Sequence, residues 1–244
     1  MLLGIGTALV AGAIASVSGF GIGSLLTPVL LRDFAPRDAV VLVALPHFVA
    51  SAIRVARLRH AIDWQTFRQF GVASAIGGLA GAVMQTSIAG GALTVVLAVL
   101  LTMAGAAELT GRRLPLPRTS FWRLAGGAAS GFFGGLVGNQ GGIRSAALLG
   151  FRLTPQQLVA TATASAVIVD AARVPAYLAT ATPLIARELT LIVVLSASVT
   201  AGTLIGVPVL RRVPDTVYQR IVGALLLALG LGLLATSARS LSRT

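Results

Sequence analysis

The chain of 244 residues has no cysteine and no lysine, and only seven acidic residues accompany its 19 arginines. The lack of cysteine excludes disulfide bonds, thiol catalysis and thiolate metal sites. His47 and His60 are the only histidines and are too few for a histidine-rich metal centre, so we expect neither metal nor cofactor. Enzyme signatures such as Gly-x-Ser-x-Gly, His-Glu-x-x-His and the P-loop are also missing. The sequence therefore does not predict an enzyme.

Hydrophobic residues, by contrast, make up 56% of the chain, charged residues make up 11%, and the mean hydropathy is +0.91. Several runs approach the roughly 20 apolar residues needed to cross a bilayer, which predicts an all-α polytopic membrane protein. Met1 leads directly into an apolar run without a basic region, so we expect the first segment to stay in the mature protein. Most arginines lie in short connections, where they determine topology and meet lipid head groups, so we expect no nucleic-acid partner.

Eight apolar segments follow one another along the chain, at approximately 2–31, 36–57, 67–86, 90–108, 121–150, 155–179, 187–208 and 214–237. The first segment is broken at 18–23 and the fifth at 138–143. The longest polar connection, the basic and proline-containing residues 110–120, separates two halves of four segments each. We expect the N-terminal repeat, residues 1–109, and the C-terminal repeat, residues 121–244, to form one integrated membrane domain.

The two halves match each other residue by residue at several positions. A shift of 119 places Gly19 on Gly138, Gly23 on Gly142, Pro36 on Pro155 and Arg54 on Arg173. A shift of 125 places Gly77 and Gly81 on Gly202 and Gly206. Arginine and proline are rare inside membrane spans, so these matches predict an internal repeat. The four glycines have the small-xxx-small spacing that lets helices approach closely, either within one chain or in a homo-oligomer.

Two topologies are open, depending on whether the broken segments cross the membrane. If they cross, each half has four spans and the repeats run parallel. If each is a re-entrant hairpin, each half has three full spans and the repeats are inverted. Cytoplasmic loops carry the excess of arginine, and the hairpin model gives the stronger imbalance of arginines between the two sides. The sequence therefore favours inverted repeats, with both termini outside the cytoplasm.

The two breaks are rich in glycine: residues 18–24 read SGFGIGS and residues 138–144 read GNQGGIR. Irregular backbone in a membrane survives only against protein or a watery cavity, and a matched pair of broken helices indicates a transporter's binding site. Where the helices resume, free N–H groups and the positive dipole end form an anion site. The candidate binding residues at the breaks are Gly21, Gly23, Ser24, Thr27, Asn139, Gln140, Gly141 and Gly142.

Charged and titratable residues inside the apolar segments complete the candidate site. We expect Arg144 and Arg173 to bind an anion, since guanidinium groups suit oxyanions. Arg54 is interpreted either as a binding residue or as an arginine that snorkels to the interface. Asp170 lies three residues before Arg173 and is either its counter-ion or a proton carrier. His47 is a substrate contact, a titrating group or a structural residue.

The chain resembles the TauE/SafE family of sulfite exporters and sulfonate uptake permeases over nearly its whole length. The resemblance rests on two four-segment halves that each open with a glycine-rich break, here SGFGIGSLLTP at 18–28 and GGLVGNQGG at 134–142. The family's first motif has a denser Gly-x-Gly-Gly-Gly run, and glycine is common where this chain has Asn139 and Gln140.

The resemblance implies a secondary transporter that moves sulfite or an organosulfonate across a bacterial inner membrane. Transport would proceed by alternating access around a midplane site between the two breaks. The partners would be a small anionic substrate and the lipid bilayer. The alternatives are a transporter of another small organic or inorganic anion, or an intramembrane assembly factor or enzyme.

Overall fold

The computed structural model describes residues 2–18, 21–111, 119–210 and 214–241. The chain is 89% helical, and no strand occurs among the described residues, so the predicted all-α class is confirmed. Most of the connecting segment 110–120 (residues 112–118) lies outside the described residues, as do Gly19 and Phe20 of the first break. The division into two repeats joined by this segment stays a prediction.

Each half opens with one long and one short helix, followed by longer helices. The helices of the first half are α1 Leu2–Ser18, α2 Ile22–Leu30, α3 Pro36–Leu58, α4 Trp64–Thr66, α5 Val72–Gln85 and α6 Gly90–Thr110. The helices of the second half are α7 Ser120–Val137, α8 Gly141–Leu149, α9 Pro155–Arg187, α10 Leu189–Leu210 and α11 Asp215–Leu241. A 3₁₀ turn, Arg59–Ala61, follows α3, and a π-helical turn, Phe67–Gly71, joins α4 to α5.

Local sequence signals explain where several helices begin. Proline occupies the first turn of α3 and of α9, where its missing N–H would be unpaired in any case. Thr154 and Gln157 form a reciprocal capping box at the start of α9. Helical structure in the third apolar segment begins at Trp64, three residues before the predicted start at 67. It begins there because the Asp63 carboxylate caps α4 by accepting a hydrogen bond from the Thr66 amide at 2.8 Å.

Five helices among the described residues are long and apolar enough to cross a membrane, and they lie within Pro36–Ala61, Gly90–Thr110, Pro155–Arg187, Leu189–Gly206 and Thr216–Ala238. Helical structure is also continuous over residues 64–85, because the π-helical turn joins α4 to α5 without interruption. By contrast, α2 and α8 have nine residues each. A nine-residue helix is about 14 Å long and covers less than half of the roughly 30 Å hydrocarbon core.

The packing of the helices is the same when the two halves are exchanged. α1 packs most extensively against α10. By their order in each half, the counterparts of α1 and α10 are α7 and α5, and these two helices also pack most extensively against each other. α3 packs against its counterpart α9, and α6 packs against its counterpart α11. Such a pattern is expected of two repeats related by a two-fold axis. Contacts alone do not orient the halves in the bilayer, so the inverted arrangement stays a prediction.

The glycine pairs at the predicted packing surfaces lie against helices of the same chain. A Cβ on Gly77 or Gly81 of α5 would meet the backbone of α7, at Ala128 and Phe132. A Cβ on Gly202 or Gly206 of α10 would meet the backbone of α1. Close backbone contact replaces the hydrophobic effect as a source of helix association in lipid. These glycines therefore serve contacts within the chain, and a homo-oligomer stays a prediction.

We predict that Gly12→Ala destabilises the protein whereas Gly6→Ala, on the same helix, does not. A Cβ at Gly12 would overlap the backbone of Val199 and Thr203 in α10, whereas a Cβ at Gly6 would meet nothing within 4 Å. Overpacking of this kind costs about 1–3 kcal/mol, and alanine otherwise favours a helix. Thermal unfolding in detergent measures both variants. Equal unfolding midpoints for the two variants would contradict the close packing of α1 and α10.

Candidate anion-binding site

The first break turns the chain back along the helix that precedes it. Gly21 has a φ of 127°, a backbone conformation that side chains disfavour, and it packs against Ile14 and Ala15 of α1. From Gly21 the short helix α2 runs against α1 and α3. Pro28 lies inside α2, which nevertheless continues to Leu30. α1 and α2 therefore pack together as a helical hairpin, with α2 as its short arm.

The second break has the same form. Gly138 has a φ of 72° and ends α7, and its amide donates to the Gly134 carbonyl at 3.0 Å. After the break, the Gln140 carbonyl accepts a hydrogen bond from the Ser130 hydroxyl at 3.2 Å, ten residues earlier in the chain. The chain has therefore reversed its direction and returned along α7. Such hairpins are what the inverted-repeat topology requires of the two broken segments.

The two breaks contact each other at the interface between the halves. Gly23, at the start of α2, lies against the Gly138 carbonyl so closely that no side chain would fit there. Next to this contact, the Ser24 hydroxyl donates to the Asn139 side-chain oxygen at 3.0 Å. Thr27, one turn further along α2, lies beside Gly138. Two segments that are 115 residues apart in sequence thus build one locus.

Backbone amides that make no hydrogen bond within their own helices lie at this locus. No side chain caps the amino end of α2 or of α8. The first hydrogen bond inside each helix is made by a later amide: Leu25 donates to the Gly21 carbonyl at 3.0 Å, and Arg144 donates to the Gln140 carbonyl at 3.0 Å. The amides before Leu25 and Arg144 are therefore not used within their helices, and the positive ends of two helix dipoles lie near one another. This arrangement favours a bound anion.

A small cavity lies between the breaks. Its lining consists of Gly21, Gly23, Ser24, His47, Gly138, Gln140, Gly141 and Arg144. It leaves about 10 Å³ for the centre of a water molecule, which is close to the smallest space that holds one water. The cavity is thus closed around at most a very small occupant in this conformation.

Arg144 is a charged residue of the cavity wall whose buried side chain has hydrogen-bond donors without acceptors in the described part of the chain. Its side chain is 1% exposed, and its Nε and Nη2 have no hydrogen-bond partner among the described residues. The side-chain nitrogen and oxygen of Gln140 lack a partner as well. A buried donor without an acceptor costs about 1–3 kcal/mol, and more when it is charged. Arg144 and Gln140 therefore supply donors that an anion in the cavity can satisfy.

Asp170 connects the cavity to the second half of the chain. Its Oδ1 accepts from Arg173 Nε at 2.9 Å and lies 2.8 Å from Arg173 Nη2, and its Oδ2 lies 2.6 Å from His47 Nδ1. The expected pairing of Asp170 with Arg173 is present. All three residues are buried. Because His47 belongs to α3 and Asp170 to α9, this hydrogen bond crosses between the halves.

Arg54 and Arg173 occupy equivalent positions and make equivalent contacts. Arg54 Nη1 donates to the Ala15 carbonyl at 2.5 Å, and Arg173 Nη1 donates to the Gly134 carbonyl. Ala15 and Gly134 are themselves related by the shift of 119 and lie in the last turn before each break. Carbonyls in the last turn of a helix lie at the negative end of the helix dipole, which favours a cation. Each arginine therefore stabilises the carboxyl end of the broken helix in its own half.

Charge in this region does not balance. Arg54, Arg144 and Arg173 are buried, and Asp170 is the one buried carboxylate among the described residues. Asp170, Arg173 and Arg54 all lie close enough to Arg144 to act on its charge. Burying charges without partners is costly, so a cluster with surplus positive charge favours the entry of an anion.

The structure brings seven of the predicted site residues to the cavity wall: Gly21, Gly23, Ser24, His47, Gln140, Gly141 and Arg144. Asn139 and Gly142 belong to the second break and Thr27 lies next to Gly138, but none of the three is in that wall, and Gly142 faces Ala104 of α6. Arg54, Asp170 and Arg173 lie behind it and hold the breaks and His47 in place. All three side-chain nitrogens of Arg173 are engaged within the chain, so direct anion binding by Arg173 stays a prediction.

Three contributors near the site were not singled out from the sequence. Gly138 lines the cavity, Ser130 fixes the Gln140 carbonyl, and the Tyr177 hydroxyl donates to the Gly135 carbonyl at 2.6 Å. Gly138 belongs to the second motif and was recognised there as part of the break. Ser130 and Tyr177 carry no sequence signal, because their partners are backbone carbonyls that only the fold brings near.

A protein-family model described as sulfite exporter TauE/SafE matches residues 4–233. The chain belongs to the TauE/SafE family. No curated protein and no solved structure matches the chain significantly. This TauE/SafE protein is accordingly a multi-pass membrane protein of a transporter family, for which a small anion and the surrounding lipid are the relevant partners.

We predict that Asp170→Asn lowers the stability of the TauE/SafE protein by about 3–5 kcal/mol, because Arg173 is left buried without its counter-charge. The matched control is Glu188→Gln, which removes the carboxylate of the surface pair with Arg187 and should cost less than about 1 kcal/mol. Thermal unfolding in detergent compares the two variants. If they unfold at the same temperature, the buried pair does not support the site.

Proposed function

We propose that the protein is a secondary transporter of a small sulfur oxyanion, with sulfite as the leading candidate, and that the anion binds between the two helix breaks. The observation that carries this proposal is Arg144, a buried guanidinium whose Nε and Nη2 have no partner among the described residues. Guanidinium donors form a fork that matches oxyanion geometry. An anion in the cavity would accept from Arg144 and from the uncapped amides of α2 and α8.

The lining of the cavity favours an inorganic anion over a bulky sulfonate. Among the described residues, glycines, Ser24, Gln140, His47 and Arg144 surround the space, and none of them has a large apolar side chain. An organosulfonate with a hydrophobic tail would need apolar surface to cover that tail. A compact oxyanion whose whole surface accepts hydrogen bonds suits this lining better.

The small volume supports transport by alternating access. About 10 Å³ for the centre of a water molecule is too little for a sulfur atom with three oxygens, so the site must widen to admit its substrate. The two halves meet at the cavity through the contacts Gly23–Gly138 and Ser24–Asn139. Movement of one repeat against the other would separate these contacts and open the site to one side at a time. We place the protein in the bacterial inner membrane, with inverted repeats.

The residues behind the cavity wall have a positioning role in this proposal. Arg54 and Arg173 hold the carboxyl ends of α1 and α7 through Ala15 and Gly134, so the breaks keep their shape when the site is empty. Asp170 fixes Arg173 and His47. Together these groups keep the surplus positive charge close to the cavity, which concentrates anions there.

We predict that Arg144→Gln abolishes sulfite transport and leaves the protein inserted and folded. Glutamine keeps much of the side-chain length but removes the charge that the anion needs. Arg32→Gln is the matched control, because Arg32 is exposed in the connection after α2. Radiolabelled sulfite uptake into proteoliposomes, with detergent extraction yield as the test of folding, compares the variants. Full transport by Arg144→Gln would remove the basis of the proposal.

We also predict that sulfite raises the thermal unfolding temperature of the purified protein, because a ligand that binds only the folded state stabilises it. Sodium, potassium and 4-toluene sulfonate should have smaller effects, since the cavity has surplus positive charge and its described lining residues include no large apolar side chain. A panel of these ligands at equal ionic strength makes the comparison. Stabilisation by the aromatic sulfonate alone would shift the substrate class toward organic anions.

A further inference from the structure

The pair formed by His47 and Asp170 has a group that can take up a proton, which anion binding alone does not require. We propose that His47 takes up a proton when the anion binds, so that one proton accompanies each anion through the protein. This inference rests on the proposed function, because it assigns a coupling ion to the same cavity. It is carried by the position of His47, which lines the cavity and contacts Asp170 at 2.6 Å.

The hydrogen bond to Asp170 determines which nitrogen of His47 titrates. An ionised carboxylate only accepts hydrogen bonds, so Nδ1 keeps its hydrogen towards Asp170 Oδ2. Nε2 is then the nitrogen that gains or loses the proton. In the neutral ring Nε2 is an acceptor, as every oxygen of an oxyanion is. In the protonated ring Nε2 is a donor, and the imidazolium attracts the anion.

The repeat shows that this pair is an addition to the shared scaffold. Under the shift of 119, Arg54 corresponds to Arg173, and both perform the same task on the broken helices. His47, however, corresponds to Ala166, and Asp170 corresponds to Ser51. Neither counterpart can titrate. The hairpins and their arginines are thus duplicated, whereas the titratable pair occurs once, at the contact between the halves.

The charges around His47 link its proton to the anion. The groups that act on it are Asp170 and Arg173 on α9 and Arg144 on α8. The other charged or titratable groups on α3 and on the described elements that pack against it are Arg37, Asp38, Arg54, Arg57, Arg59, His60, Glu108, Arg123, Tyr177 and Arg187.

Next to His47, the buried residues Arg144 and Arg173 carry two positive charges and Asp170 carries one negative charge, so a protonated imidazole would add to a surplus of positive charge. An anion in the cavity offsets this surplus, so the protonated imidazole and the anion stabilise each other. Binding free energies are reciprocal: whatever the anion adds to proton affinity, the proton adds to anion affinity. The proton is therefore taken up on the side where the anion enters and is released on the side where it leaves.

The experiment measures sulfite affinity of the purified protein from about pH 6 to about pH 8, the range in which histidine normally changes its charge. His47→Gln keeps a hydrogen-bond donor for Asp170 but cannot take up a proton. His60→Gln is the matched control, since His60 is the other histidine of the chain and lies outside the cavity lining. Sulfite also titrates, but it does so identically with all three proteins, so the ratio of affinities isolates the contribution of His47.

We expect the affinity of wild type and His60→Gln, relative to that of His47→Gln, to fall by up to about tenfold per pH unit as the pH rises, which is the limit for one linked proton. An unchanged ratio across the range overturns the inference. Absence of sulfite binding by wild type at every pH overturns the proposed function and this inference with it. Binding with a flat ratio leaves the proposed function standing.

Two further measurements make the answer independent of how one variant folds. Calorimetric titration of wild type in buffers of different ionisation enthalpy counts the protons taken up per anion, and we expect up to one beyond the contribution of sulfite itself. In proteoliposomes with the voltage clamped at zero, an inward proton gradient should drive sulfite accumulation by wild type and by His60→Gln. It should not drive accumulation by His47→Gln or His47→Asn. Zero protons in calorimetry, or equal accumulation by all variants, rejects coupling through His47.

Discussion

Surplus positive charge buried between two broken helices is the constraint on which the other features of the site depend. Arg54, Arg144 and Arg173 are buried together with one carboxylate, Asp170. Such a cluster is costly in a medium without water, and it persists only if each guanidinium has a partner or a bound anion. Asp170 and two backbone carbonyls satisfy most of Arg173 and part of Arg54. Nε and Nη2 of Arg144 have no acceptor among the described residues, so we expect a bound anion to lie next to Arg144.

The breaks and the arginines depend on each other. A helix that ends inside a membrane exposes the negative end of its dipole, and Arg54 and Arg173 donate hydrogen bonds there, to the carbonyls of Ala15 and Gly134. The short helices that follow leave amides without acceptors, and no side chain caps them. The protein therefore satisfies the negative ends of its interrupted helices internally. The positive ends carry no side-chain cap, and in the proposed function this asymmetry favours an anion over a cation.

The sequence allowed the all-α membrane class, the two breaks and the family to be predicted, because glycine runs, arginines and long apolar segments are local signals. It also placed Asp170 beside Arg173, since residues three apart share a helix face. It did not separate the role of Arg144 from that of Arg173. That distinction depends on which nitrogens meet a carboxylate or a carbonyl, and only packing determines this. The contact of His47 with Asp170 was likewise out of reach, because it joins residues 123 apart on different helices.

The predicted repeat would explain why both kinds of feature occur in one small protein. Two hairpins meet at Gly23 and Gly138, and in each half an arginine donates to the helix before the break. An anion held between identical halves would contact equivalent groups from both. Here the halves differ: under the shift of 119, Arg144 corresponds to Leu25, and Asp170 corresponds to Ser51. The hairpins and their arginines thus occur in both halves, whereas the guanidinium proposed to bind the anion and the pair proposed to titrate occur once. On this proposal, selectivity for an anion depends on the positions at which the two halves differ.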